Sequence, residues 1–117
     1  MLNCISTGQS LNYTNNTAKD IKSGDIVVIE SVVGVAITDI VVGLERAVAI
    51  VDVYALPKAA VAINQGAKLY YDVDADPVGG TAGTGALTTT AEGNVYAGKA
   101  MAAAAGADTT VQIKLNV

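Results

Sequence analysis

The stretch from Ala47 to Leu56 has no polar face, and that restricts the fold more than any other feature of the chain. Read as extended, it places Ala47, Ala49, Val51, Val53 and Ala55 on one side and Val48, Ile50, Asp52, Tyr54 and Leu56 on the other. A strand with one wet side alternates apolar with polar residues, so a strand apolar on both sides should be covered on both. One long central strand is therefore predicted over 47–56, and another subunit is expected to supply its second cover. A corner at Leu56-Pro57-Lys58, a turn at Gln65-Gly66 and a short strand closing on Tyr70-Tyr71-Asp72 complete this organising segment.

With 117 residues the chain has the length of one domain, able to bury a core without metals or disulfides. Its apolar fraction of 51% contains no Phe and no Trp, so the core must be built from Val, Ile, Leu, Ala and a few Tyr. Small and β-branched side chains favour closely packed strands over helices with bulky ridges. Turns centred on Gly24, Gly43, Gly66 and Gly93 each lead into an apolar run, the punctuation of an antiparallel meander or small barrel. Gly34 interrupts a further run and predicts a bulge or a close backbone approach. At the end of the chain Val111, Ile113, Leu115 and Val117 alternate with Thr110, Gln112, Lys114 and Asn116, a strand with one core face. The alanines at 102–105 are too few for an independent helix and are stopped by Gly106, so they are read as a strand end entering a turn. The expected fold is all-β, a small antiparallel barrel or sandwich of about six to nine strands with glycine turns and little helix. Residues 1–20 are assigned to a polar, partly flexible amino-terminal arm in which Leu11 and Tyr13 form an edge strand. Residues 21–117 make the β domain, with a mobile glycine-rich loop at 77–86.

Chemistry finds little to work with in this sequence. There is no His and only one Cys, which removes the usual acid–base residue near neutral pH and most transition-metal sites. Cys4 is read as an incidental thiol. Seven basic residues are scattered through a chain of net charge −4, so no run of phosphates is matched and nucleic acid is not an expected partner. No apolar segment is long enough to span a membrane, and Met1-Leu2-Asn3-Cys4 lacks the pattern of a secretion signal, so synthesis in the cytoplasm is expected. Asp72, Asp74 and Asp76 imitate the start of a calcium loop, but Pro77 stands where that loop needs Gly and Gly83 where it needs Glu. Gly80 and Gly85 have phosphate-loop spacing without the lysine that would hold the phosphates. No catalytic, cofactor-binding or metal-ligating residue is assigned. The competing possibility is a small-ligand or cation-binding β module that uses the acidic strand end at 72–76 with Tyr70 or Tyr71. Adjacent tyrosines on a strand face opposite ways, so one of these two should fill the core and the other meet solvent or a partner. Candidate interface residues are Leu11, Tyr13, Tyr54, Leu56, Lys58, Tyr70 and Tyr71.

An ordered set of segments carries a family resemblance. It comprises Ser23-Gly24-Asp25-Ile26-Val27-Val28, Val33-Gly34-Val35-Ala36 with Thr38-Asp39-Ile40, the Leu56-Pro57-Lys58 corner, and Gln65-Gly66 leading to Leu69-Tyr70-Tyr71-Asp72. Gly93-Asn94 with Gly98, and Asp108-Thr109-Thr110-Val111 with Leu115-Asn116, complete it. Over residues 9–117 the chain resembles the small capsid cement, or decoration, proteins of tailed bacteriophages and prophages. It departs from that pattern in the glycine-rich insertion at 77–86 and in Tyr71, where Trp is common. The resemblance implies a β-rich fold, no enzymatic activity and attachment to the outside of an assembled head, with the major capsid protein as partner. A homotrimer is expected, because a three-fold assembly would match the junctions of such a shell and cover the doubly apolar strand.

Overall fold

A computed structural model describes residues 10–116. Expectations that concern Cys4, the first half of the arm and Val117 fall outside the described residues. Among the described residues there are nine strands: β1 (Ser10–Thr14), β2 (Ile26–Ile29), β3 (Val32–Ala36), β4 (Glu45–Ala49), β5 (Val53–Pro57), β6 (Lys68–Asp72), β7 (Ala86–Thr88), β8 (Val95–Ala100) and β9 (Thr110–Leu115). They form two antiparallel sheets, one ordered β1-β4-β3-β2 and the other β5-β9-β8-β6-β7. The all-β expectation holds, and the sandwich is the form taken. In the larger sheet a single bridge from Lys58 to Leu87 brings the two edge strands together at one end, without closing a barrel.

The main core lies between the sheets. Val33 and Val35 of β3 face Leu69 and Tyr71 of β6, Leu87 of β7, Ala97 and Ala100 of β8, and Val111, Ile113 and Leu115 of β9. The predicted alternation in the last strand is therefore obeyed, with Thr110, Gln112 and Lys114 outside. Gly34 sits where β3 crosses β4: a Cβ there would lie 2.5 Å from Val48 Cγ1 and 2.8 Å from the Ala49 carbonyl oxygen, so a close approach is what requires this glycine. The alanine run makes no helix; Ala104 bridges Ile63 before the turn at Gly106.

The long central strand over 47–56 is not formed. Asp52 has φ of 84°, a left-handed value that breaks the extended chain and that a short polar side chain tolerates. Residues before the break belong to β4, inside the four-stranded sheet, and residues after it to β5, at the edge of the five-stranded sheet. The crossing is fastened by Leu115, whose amide donates to the Asp52 carbonyl at 3.1 Å, and by Asn116, whose Nδ2 donates to the carbonyls of Val33 at 2.9 Å and Ile50 at 2.7 Å. The stretch looks apolar on both faces because its two halves serve different sheets.

The second cover for β4 also comes from the same chain. On the far side of the four-stranded sheet Val27, Ala36, Ile40 and Val48 form a second, smaller core, with Tyr13, Ile21 and Ile29 packed against it. No other subunit is needed to bury Val48. Nor is the amino-terminal region separate from residue 10 onward, since β1 pairs with β4 along its whole length, from Ser10 opposite Ala49 to Thr14 opposite Glu45.

Candidate interaction surface

Two irregular connections roof the smaller core, residues 15–25 after β1 and residues 37–44 between β3 and β4. Asn15 is the hub that joins them. Its side chain is wholly buried and every polar atom is used: Nδ2 donates to the carbonyls of Lys19 and Ile40, both at 2.9 Å, while Oδ1 accepts from the amide and the hydroxyl of Thr17. The Asn15 backbone amide donates to the Leu44 carbonyl at 3.0 Å, and its carbonyl accepts from the Gly43 amide at 2.9 Å. Ile21 and Ile40 exchange amide-to-carbonyl bonds at 2.9 and 2.7 Å. Asp20 accepts from the Val42 amide at 3.0 Å, and Asp39 accepts from the Ser23 amide at 2.8 Å.

So much bonding fixes the backbone of 37–44, and Ile40 anchors it in the smaller core, yet most of its other side chains are exposed. Ile37, Val41, Val42 and Leu44 are 50%, 48%, 46% and 42% exposed, four of the six large apolar side chains exposed among the described residues. Scattered exposed apolar residues are ordinary, but four of them within eight positions of one hydrogen-bonded loop make it the candidate contact surface. From the sequence the residues around Gly43 read only as a turn. The available signal was the run Ile40-Val41-Val42 with Leu44, since large β-branched residues are costly to leave in a turn.

The residues predicted for the interface are distributed unevenly. Leu11, Tyr13, Tyr54 and Tyr70 are half-buried and reach the surface. Leu56, Lys58 and Tyr71 belong to the interior, so none of them presents its side chain outward. For Leu56 and Tyr71 the cause is strand alternation, which turns both toward the main core. The split predicted for the two tyrosines is found: Tyr71 fills the core, while Tyr70 lies on the outer face in an edge-on contact with Tyr96, ring centres 5.5 Å apart.

Lys58 is buried for a different reason. Its ammonium donates to the carbonyls of Ala59 at 3.0 Å, Ala105 at 2.8 Å, and Gly106 and Asp108 at 3.4 Å each. Its own carbonyl accepts from the Val78 amide at 2.9 Å, and the neighbouring Ala59 amide donates to the Leu87 carbonyl at 2.9 Å. Lys58 thus gathers the end of β5, the 105–108 turn, the start of the glycine-rich loop and β7. Ammonium groups need acceptors once they leave water, and turn carbonyls supply them here.

Next to this node is a cleft lined by Gly24, Asp25, Ile26, Pro57, Tyr71, Pro77, Thr84 and Gly85. The Tyr71 hydroxyl donates to the Thr84 carbonyl at 3.3 Å. Its pKa is raised above the usual tyrosine value, first by burial and then by the negative charges of Asp25 and Asp72. A phenol held protonated is a hydrogen-bond donor rather than a nucleophile. At the acidic strand end Asp72 accepts from the Asp74 amide at 3.0 Å and Asp76 from the Gly83 amide at 2.7 Å, so these carboxylates shape their own turns. Among the described residues, no group of three or more His, Cys, Asp or Glu side chains is arranged to hold a metal ion. None of the helix-free described structure provides a helix long and apolar enough to cross a membrane.

A two-sheet antiparallel sandwich with an exposed apolar loop and open strand edges is the class of protein that this fold defines. Comparison by sequence gives that class a family. The profile of the phage cement proteins matches residues 5–115, nearly the whole chain, and the chain belongs to that family. Structural service on the phage capsid is the role this membership carries. No curated protein and no solved structure matches the chain.

Proposed function

We propose that this protein docks on the outer surface of an assembled phage head, against the major capsid protein, and stabilises the shell against internal pressure as a homotrimer without catalysing a reaction. The observation that carries this reading is the apolar loop 37–44, held rigid by its backbone and presenting Ile37, Val41, Val42 and Leu44 to a partner. Because the loop is already ordered, little conformational entropy is lost on docking. Each half-exposed Val, Ile or Leu that becomes buried contributes on the order of 1 kcal/mol. The edges of both sheets, β1 and β2 in one and β5 and β7 in the other, add backbone groups for main-chain pairing. Many copies on one particle turn a modest affinity per site into a large effect on the shell. Synthesis in the host cytoplasm and location on the finished virion follow from this role. Part of the contact is assigned to the polar amino-terminal segment Met1 to Lys19.

The test is to mix the purified protein with expanded, undecorated capsids of its own phage and measure binding and the temperature of capsid disruption. Wild-type protein is expected to bind and to raise that temperature. Val41→Asp combined with Val42→Asp leaves the fold intact, because both side chains are exposed, and is expected to weaken binding about tenfold or more. Absence of wild-type binding would overturn the capsid reading. Full binding by the double variant would move the contact away from this loop.

A further inference from the structure

The outer face of the five-stranded sheet carries a charge pattern that the cement role does not explain. In β6, β8 and β9 the pairing places Lys68 opposite Lys99 and Lys99 opposite Lys114. Three of the seven basic residues in a chain of net charge −4 therefore stand in one row across adjacent strands, about 4.8 Å apart. All three are exposed, and none has an ion-pair or hydrogen-bond partner among the described residues. The row continues into Val53, which lies opposite Lys114, and is flanked by Tyr70 and Gln112. A shallow depression between Lys68, Lys99 and the Tyr70–Tyr96 pair lies at one end.

Like charges directly opposite on a sheet are destabilising. Solubility alone would be served as well by mixed signs, and eleven acidic residues were available for the purpose. A stacked single-sign row is useful only when an opposite charge arrives. The same chain presents one dense set of acids, Asp72, Asp74 and Asp76, at the far end of β6, with Asp74 and Asp76 exposed. Basic row and acidic turn thus lie toward opposite ends of one strand, where a head-to-tail contact between copies would engage both, and contacts of that type close into rings. We infer that the Lys68–Lys99–Lys114 row receives the Asp72–Asp76 turn of a second copy of this chain and sets the register of its self-association. This inference rests on the homotrimer proposed above. Charge pairs of this kind give orientation and rate more than affinity, so the Tyr70–Tyr96 pair and Val53 are the apolar part of the contact.

The experiment measures self-association by sedimentation and light scattering, away from capsids, so its outcome is separate from that of the docking test. Lys68→Glu, Lys99→Glu and Lys114→Glu together reverse the row while keeping its internal repulsion. Asp74→Lys with Asp72→Asn and Asp76→Asn reverses the turn while keeping oxygen acceptors for the Asp74 and Gly83 amides. Each set is expected to weaken association about tenfold, and the two sets in one chain are expected to recover part of the loss. Raising salt from about 0.05 M to about 0.5 M should weaken the wild type as screening shortens the range of the charges. Lys99→Glu alone should raise the melting temperature by about 1–5 °C by relieving the row, while lowering association. A wild type that stays monomeric at about 100 µM, well above the Kd of an ordinary specific contact, would overturn the inference. So would a row variant that associates as tightly as wild type at low salt. A folded row variant that keeps its self-association but loses capsid docking would assign the row to the shell instead.

Discussion

Asn15 and Lys58 are both wholly buried, and each gathers irregular chain at one end of the sandwich, but they do so with opposite chemistry. The Asn15 amide has donors and an acceptor, so Thr17 and Lys19 beside it and the Ile40 carbonyl across the roof of the smaller core satisfy it completely. The Lys58 ammonium has only donors and carries a charge, so it recruits four carbonyls from two segments and holds the edges of the larger sheet to the main core. A neutral hub can satisfy itself with donors and an acceptor inside one small core. A charged hub that has only donors must gather acceptors beside the main core, and its loss should be felt globally.

The largest expected effect is at Lys58. Lys58→Ala removes a long buried stem and the ammonium donor, so that the Gly106 and Asp108 carbonyls lose their partner while those of Ala59 and Ala105 keep the amides of Val61 and Asp108. Cavity and unmet acceptors together should cost about 3–4 kcal/mol, measured by urea unfolding. Lys58→Met keeps most of the volume and should recover about 1 kcal/mol of that loss. If Lys58→Met were as stable as wild type, the carbonyls would be finding other partners and the contrast with Asn15 would fail.

Asn15→Ala should cost less, about 2 kcal/mol, because the Lys19 and Ile40 carbonyls keep their bonds from Thr17 and Ile21 and only the Asn15 side-chain bonds and the Thr17 turn are lost. Its signature is locality: amide exchange should quicken at Val42, Gly43 and Leu44 while Val111 and Ile113 in the main core keep their protection. Capsid binding should fall with it, because the apolar loop loses its rigidity. Uniform loss of protection would show that the two cores unfold as one and that Asn15 is no less global than Lys58.

Neither hub was legible in the sequence. Asn15 lies in a polar Asn- and Thr-rich stretch, and Lys58 follows a proline in a corner, so both looked solvent-facing. Burial of a polar side chain depends on carbonyls brought from 25 and 47 residues away, which no local pattern records. What periodicity does record came through: the alternation of β9, the opposed tyrosines, the glycine turns and the tight approach at Gly34 all follow from positions within one or two strands. The stretch 47–56 misled for a related reason. Period-two alternation predicts which residues lie on each face but not that the sheet changes at Asp52, where a single left-handed residue switches the chain from one sheet to the other.

Tyr71 sits between the two hubs in kind, since it becomes charged only when it loses a proton, and it gives the smallest predicted effect. Burial, followed by the charges of Asp25 and Asp72, raises its folded-state pKa above the unfolded value of about 10. As pH rises through that region the unfolded chain releases the proton first, while the folded chain still holds it. The stability linked to this group is therefore complete below about pH 10 and is lost as pH climbs through the folded-state value. Tyr71→Phe removes that dependence and the 3.3 Å bond to the Thr84 carbonyl, so it should be less stable than wild type by about 0.5–1 kcal/mol at neutral pH. Above pH 10 the gap should narrow or reverse. Because the two proteins differ at this residue alone, the difference between their unfolding curves, measured at stepped pH, isolates Tyr71. A gap that stays constant across the alkaline range would mean that Tyr71 ionises alike in folded and unfolded chains. Asp25→Asn should then shift the alkaline fall by a smaller amount in the same direction as Tyr71→Phe, since it removes one of the two charges but none of the burial.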